Sequence, residues 1–251
     1  MVIGENVVDI LIFYIFVMRK KNIKIGIIME KKLITYEDVQ SNKEIKIYIS
    51  QADKVLAAMG YTEHSFGHVK KVAELAQSIL STLGYSEREQ ELARIAGYMH
   101  DIGNVINRID HAQSGAVMAF RILDKMGMDP EEIAKVISAI GNHDESTAAE
   151  VNPIAAALIL ADKTDVRRSR VRHRNIATFD IHDRVNYAVV DSKTYFSADN
   201  KMLTLDLSID IEISAVIDYF EIFLNRMILC RKAANYLNLE FGLIINGQKM
   251  V

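Results

Sequence analysis

Six residues of this 251-residue chain have side chains suited to holding a divalent cation, and each stands where an apolar helical run begins or ends: His68, His100, Asp101, His111, His143 and Asp162. Imidazole nitrogen with carboxylate oxygen suits Mn, Fe, Co, Zn or Mg rather than a soft thiolate site. Ligands taken from separate helices can converge inside a bundle core. Six are more than one ion needs if it must also keep positions open for water and substrate. They would suit two ions about 3.5–4 Å apart, a spacing that activates water and clamps a phosphoryl group.

The elements that must position these residues read as helices from about Lys43 to Val166. His68, Val72, Leu75, Ala76, Ile79, Leu80 and Leu83 form one stripe at spacings of three and four, and Gly84 ends it. Ser86 and Glu89 make a capping-box signature, and the stripe Leu92, Ile95, Ala96, Met99 then runs into His100. Ser114 is expected to cap a helix ending at Gly127, with His111 just before it. Asp129-Pro130-Glu131-Glu132 is a helix start, and that helix stops at Gly141, before His143. Asn152-Pro153 opens another, which runs to Asp162.

After about His182 the pattern changes. Leu203, Leu205, Leu207 and Ile209 alternate with polar residues, Lys193–Phe196 is the expected partner strand, and Asp199-Asn200 the turn between them. A long helix over roughly 214–237 and a last alternation from Leu239 to Ile245 complete a β-β-α-β order. The expected fold is therefore mainly α: a helical metal-binding bundle at 43–182, a small C-terminal α+β appendage at 183–251, and an N-terminal segment at 1–42.

Within that segment, Val7–Met18 is apolar apart from Asp9, too short for a membrane span of about 20 residues and without the flanks of a signal peptide. A packed helix, a weak anchor and translation from upstream of the native start are the open readings. Met29 opens an ordinary N-terminal sequence, which favours the last, with residues 1–28 outside the native product.

The formal net charge of −3 points to neither nucleic acid nor an anionic membrane, and a single cysteine, Cys230, excludes a disulfide framework and fits a cytoplasmic protein. Cys230 lies in an apolar helical run and reads as a buried, inert thiol. Arg167, Arg168, Arg170, Arg172 and Arg174, with His173, form a basic run past Asp162, either phosphate-binding or a solvated or ion-paired face. Asp165 either tunes the site or pairs with Arg168 or Arg172, and His64 reads as a partly exposed surface histidine.

The ordered set H…HD…H…H…D, with its contexts HVKKVAELA, GYMHDIG, HAQSGAVMAFRIL and LILADKTD, resembles the HD superfamily of metal-dependent phosphohydrolases over roughly residues 61–166. The resemblance implies that His68, His100, Asp101 and Asp162 hold one ion, that His111 and His143 serve a second, and that Asp101 bridges. It also implies that a metal-activated hydroxide attacks phosphorus, with His100 and Asp101 at the catalytic centre. Many binuclear relatives read HDIGK where this chain has Asn104, so the phosphate clamp must come from elsewhere. Asn104, Arg108, Lys163 and Arg168 are the candidate substrate-binding residues. No GYP follows Asn142-His143-Asp144-Glu145, which argues against cyclic di-GMP.

The expected activity is hydrolysis of a phosphomonoester or phosphodiester, a nucleotide or related small molecule, with one or two divalent ions as cofactor. A homo-oligomer is compatible with the sequence. Nucleic acid and membrane are not expected partners. The alternative is a metal- or nucleotide-binding regulatory module without catalysis.

Overall fold

Seven helices build the part of the chain that carries the six candidate ligands: α1 (Tyr36–Ser41), α2 (Lys43–Ala58), α3 (Phe66–Thr82), α4 (Glu87–Met99), α5 (His111–Met126), α6 (Pro130–Gly141) and α7 (Pro153–Lys163). The computed structural model describes residues 33–172 and 176–251. The readings made for residues 1–28, and for His173 and Arg174, lie outside the described residues.

The caps read from the sequence set several helix starts. Ser86 and Glu89 form the capping box of α4, Asp129 accepts from Glu131 N with Pro130 at the first position of α6, and Asn152 accepts from Ala155 N at the start of α7. One expectation fails. Helix α5 begins at His111, not after Ser114, and its cap residue Asp110 has the left-handed φ of 56°. Ser114 lies inside the first turn, where its hydroxyl donates to Asp110 O at 3.0 Å instead of capping. His111 is thereby drawn into the helix and buried.

Two close backbone approaches hold the site together. A Cβ on Gly97 would lie 2.7 Å from Ala73 Cα, so α3 and α4 pack backbone to backbone there. A Cβ on Gly103, in the short 3-10 turn Ile102–Val105 behind Asp101, would lie 2.0 Å from His111 O and 2.5 Å from Gly115 N. Only glycine lets this turn press against the start of α5.

Past α7 come a second 3-10 turn (Arg168–Arg170), a third (Ile176–Thr178), helix α8 (Ile181–Ala188), strands β1 (Val189–Phe196) and β2 (Met202–Ile209), helix α9 (Val216–Tyr236), and strands β3 (Glu240–Ile245) and β4 (Gln248–Lys249). The β-β-α-β order is present, extended by the two-residue β4 and preceded by α8, which the sequence reading did not assign. The sheet runs β1-β2-β3-β4. β1 and β2 pair antiparallel through the turn at Asn200 (φ 56°), and β2 and β3 are parallel, joined across α9. The alternation Leu203, Leu205, Leu207, Ile209 is buried. Helix α9 packs against both α7 and β3, and one apolar core runs through the bundle and the sheet. Among the described residues no helix is long and apolar enough to cross a membrane.

Candidate metal centre

All six candidate ligands are buried and converge. Three overlapping sets of donor atoms lie within 4.8 Å of one another: His68, His100 and Asp101; His100, His143 and Asp162; Asp101, His111 and His143. Helices α3 and α7 supply His68 and Asp162, the end of α4 gives His100 and Asp101, α5 starts with His111, and His143 follows α6.

The tautomers follow from the outward hydrogen bonds. Nδ1 of His100 faces Gly97 O at 2.8 Å, Nδ1 of His111 faces Arg108 O at 2.9 Å, and Nδ1 of His143 faces Ile140 O at 2.6 Å. A carbonyl only accepts, so each Nδ1 carries a proton and turns Nε2 inward, where in the neutral ring it presents a bare lone pair. His68 does the same against a carboxylate, donating from Nδ1 to Asp165 Oδ2 at 2.8 Å. His68 Nε2 then lies 3.3 Å from His100 Nε2, and His111 Nε2 lies 3.3 Å from His143 Nε2. Two facing lone pairs need a cation between them.

Asp101 divides its oxygens between these pairs. Oδ2 is 3.6 Å from His68 Nε2 and 3.2 Å from His100 Nε2; Oδ1 is 3.6 Å from His111 Nε2 and 3.9 Å from His143 Nε2. Oδ2 is buried with no hydrogen-bond partner among the described residues. A buried, unpartnered carboxylate oxygen among bare imidazole nitrogens fits a bound divalent ion. Asp162 Oδ1 sits 3.2 Å from His68 Nε2 and 3.7 Å from His100 Nε2.

Charge is arranged accordingly. Burial opposes ionisation of Asp101, but His100, His64 and His111 outweigh it and hold the carboxyl well below the usual range. Burial likewise opposes ionisation of Asp162, which Lys163 and His68 keep low, and of Asp165, which the His68 hydrogen bond and Arg170 keep low. His100 is pushed down by burial, yet Asp101 and Asp162 raise it overall, while burial and His100 pull His143 down to about 3.

The centre opens into a cavity of about 410 Å³. Arg108 and Lys163, two of the four candidate substrate-binding residues, line it. Arg108 Nη1 is 3.3 Å from His111 Nε2, and Lys163 Nζ holds Asp162 Oδ2 at 2.6 Å. The other two expectations are corrected. Asn104 is fully buried, away from the cavity, and its Nδ2 donates to Asp101 Oδ1 at 2.8 Å and to Asp101 O at 3.0 Å, so it fixes the carboxylate rather than the substrate. Arg168 is turned outward by the 3-10 turn, donates from Nε to Tyr187 O and lies over the Tyr187 ring at 4.6 Å.

Asp165 pairs with neither Arg168 nor Arg172. It takes His68, Lys71, Arg167 and Arg170, while Arg172 pairs with Asp53. His64 is partly exposed, as read, and lines the cavity with its Nδ1 committed to Thr62 O at 2.7 Å. Arg226 also lines it and donates from Nε to Glu145 Oε1 at 2.7 Å. The sequence held a signal for it: Arg226 falls on the buried stripe Tyr219, Phe223, Cys230 of α9, an unusual place for a cation.

Residues 65–167 match the model of the HD domain. The chain carries an HD domain. An uncharacterized protein of Methanocaldococcus jannaschii is 25% identical over 195 residues, 68% of this chain and 74% of that protein. A solved structure, that of a predicted HD superfamily hydrolase from an uncultured Thermotogales bacterium, is 29% identical and covers 50% of this chain and 68% of its own, with a TM-score of 0.39. The HD domain spans His68 to Asp162, so all six converging side chains fall inside it, while Arg226 lies outside.

Proposed function

We propose that this chain is a divalent-metal-dependent phosphohydrolase acting on the phosphomonoester or phosphodiester of a small molecule such as a nucleotide. The observation that carries this reading is the division of Asp101, one oxygen to the His68–His100 pair and the other to the His111–His143 pair. Such a cradle would suit divalent ions held by the two histidine pairs, with Asp101 and Asp162 supplying the carboxylates. Divalent ions held there would supply Lewis acidity, lowering the pKa of water and neutralising phosphoryl charge.

The chain's own residues do the rest. Asn104 and Asp165 hold Asp101 and His68 in the orientation that keeps ligand lone pairs inward. Arg108, Lys163 and Arg226 line the cavity from three elements and provide the cationic clamp that Asn104 does not. With Nδ1 donating to Thr62 O, and with burial and Arg170 holding the ring well below the usual histidine range, His64 offers an unprotonated Nε2 at the cavity wall, where it can accept a hydrogen bond from water or substrate. A cavity of this volume is the size expected for a small-molecule ligand. The regulatory-module alternative drew its support from Asn104, and a role for that residue in fixing Asp101 removes this support.

The test is phosphate release by chelator-stripped protein reloaded singly with Mn, Fe(II), Co, Zn or Mg, over a panel of nucleotides, cyclic nucleotides and simple phosphoesters. Metal-dependent turnover that is lost in Asp101→Ala is expected. Equal turnover by that variant and the parent would sink the mechanism.

A further inference from the structure

A second, smaller cleft of about 270 Å³ lies away from the metal centre, between α3, the Arg168–Arg170 turn and the start of β1. Lys71, Arg167, Arg168 and Ser169 line one part of it, Asp191 and Ser192 another. Two buried side-chain atoms of this lining have no hydrogen-bond partner among the described residues: Arg168 Nη2 and Ser192 Oγ. A buried guanidinium nitrogen without an acceptor costs free energy that a bound acceptor would recover. The β1–β2 register shifts between Val189 and Asp191, and the residues around that irregularity, Val189 to Ser192, line the cleft.

The local charge is positive. Lys71 Nζ at 2.9 Å, Arg167 Nε at 2.9 Å and Arg170 Nη1 at 3.8 Å all draw on the single carboxylate of Asp165. Glu63 approaches Arg167 only to 3.8 Å, and Asp191 is taken by Lys193 at 2.5 Å. Arg168 has no carboxylate partner among the described residues. Three cations around one cleft with an unmet donor match an oxyanion with several acceptor oxygens.

We propose that this outer cleft is a second binding site for a phosphate-type oxyanion, and that its occupancy acts on the metal centre through Asp165. The link is short. The same Asp165 carboxylate that Lys71 and Arg167 grip receives the Nδ1 proton of His68. An anion that recruits Lys71 and Arg167 loosens their hold on Asp165 and so the orientation of His68. The binding half stands apart from the hydrolase reading; the coupling half rests on His68 being a metal ligand.

The experiment uses the full chain, with acylation of Lys71 read by mass spectrometry while inorganic phosphate is titrated at constant ionic strength. A parallel titration with a nucleoside monophosphate shows whether free phosphate or a phosphate-bearing molecule is the better occupant. Protection of Lys71 in the parent is expected, lost in Arg168→Gln and weakened in Ser192→Ala, whose removed hydroxyl oxygen bonds nothing in the described fold. Ser192→Ala keeps the test open if Arg168→Gln does not fold. Mn(II) affinity, followed by the spectrum of the free ion, should fall roughly five-fold or more with phosphate in the parent. It should fall less in Arg168→Gln, which controls for direct chelation. Unprotected Lys71 in the parent, or equal protection in both variants, would overturn the site. Protection with unchanged Mn(II) affinity would overturn the link. None of these readouts depends on turnover, so silence of the enzyme toward every phosphoester would count against the proposed function alone.

Discussion

His68 Nε2 lies 3.3 Å from His100 Nε2, and each ring's other nitrogen is already committed, to Asp165 and to Gly97 O. Two imidazoles held in this way repel unless a proton or a metal ion lies between them. Metal removal should therefore destabilise the fold. Reloading stripped protein with an ion at 100 times its dissociation constant should raise stability by about 2.7 kcal/mol, read as an upward shift in thermal midpoint. The shift should shrink in Asp101→Ala. No shift with any of the five metals would contradict the cradle.

Asp165 meets no substrate, yet Asp165→Asn should weaken metal binding by roughly 10- to 100-fold, the usual cost of losing an outer partner of a ligating histidine. Asn can still accept from His68 Nδ1 but brings no charge to set the ring's basicity. A competition titration against a chromogenic chelator measures this directly. Unchanged affinity with reduced thermal stability would assign Asp165 a structural role only.

How much of this was legible beforehand differs by residue. The convergence of the six candidate ligands was, because each stands where an apolar stripe begins or ends, and a stripe's boundary is the point at which a core helix can point a polar group inward. Arg168 was misplaced because nearness in sequence to Asp162 stood in for nearness in space. Helix α7 ends at Lys163, and the turn that follows sends Arg168 out to Tyr187. Arg226 arrives through the β2–α9–β3 crossover, 64 residues after Asp162 by subtraction (226 minus 162), and no local pattern encodes that pairing. Asn104 was weighed as a substituted clamp, whereas its side chain is spent on Asp101.

Arg226→Gln tests the clamp from outside the HD domain. A charge-assisted hydrogen bond is worth about 1.5–3 kcal/mol, so kcat/KM on any substrate found should fall by roughly 10- to 100-fold. Metal affinity should hold, because Arg226 pairs with Glu145 and not with a ligand. Steady-state kinetics with a parallel metal titration separate the two. A loss of metal binding in this variant would move Arg226 from the substrate to the cradle.

Gly103→Ala should be far worse than an ordinary added methyl. The Cβ would fall 2.0 Å from His111 O and 2.5 Å from Gly115 N, both backbone, so neither can swing aside. Overpacking of a core typically costs about 1–3 kcal/mol, and this variant should meet or exceed the upper end. Urea unfolding against the parent checks it, and a variant of parental stability would show that the turn is free to move away from α5.

Stability should also decline at alkaline pH, through buried groups that are not themselves candidate metal ligands. Burial pushes the Cys230 thiol up to about 12 and the Tyr98 phenol up to about 12, and raises Tyr219 as well. Each folded-state pKa lies above its unfolded value, so the folded chain holds these protons more tightly. The stabilisation is complete below the unfolded pKa, about 8.5 for the thiol and 10 for the phenols. It is lost as pH rises through that value toward the folded one. Above about pH 8.5 the thiol alone should cost about 1.4 kcal/mol per pH unit, with the tyrosines adding to the slope above about pH 10. Urea midpoints at pH 8 and 10 for the parent and Cys230→Ala isolate the thiol: the variant starts less stable, having lost a fully buried side chain, but loses less between the two pH values. Parallel losses in the two proteins would mean that Cys230 ionises in the folded state as easily as in the unfolded one.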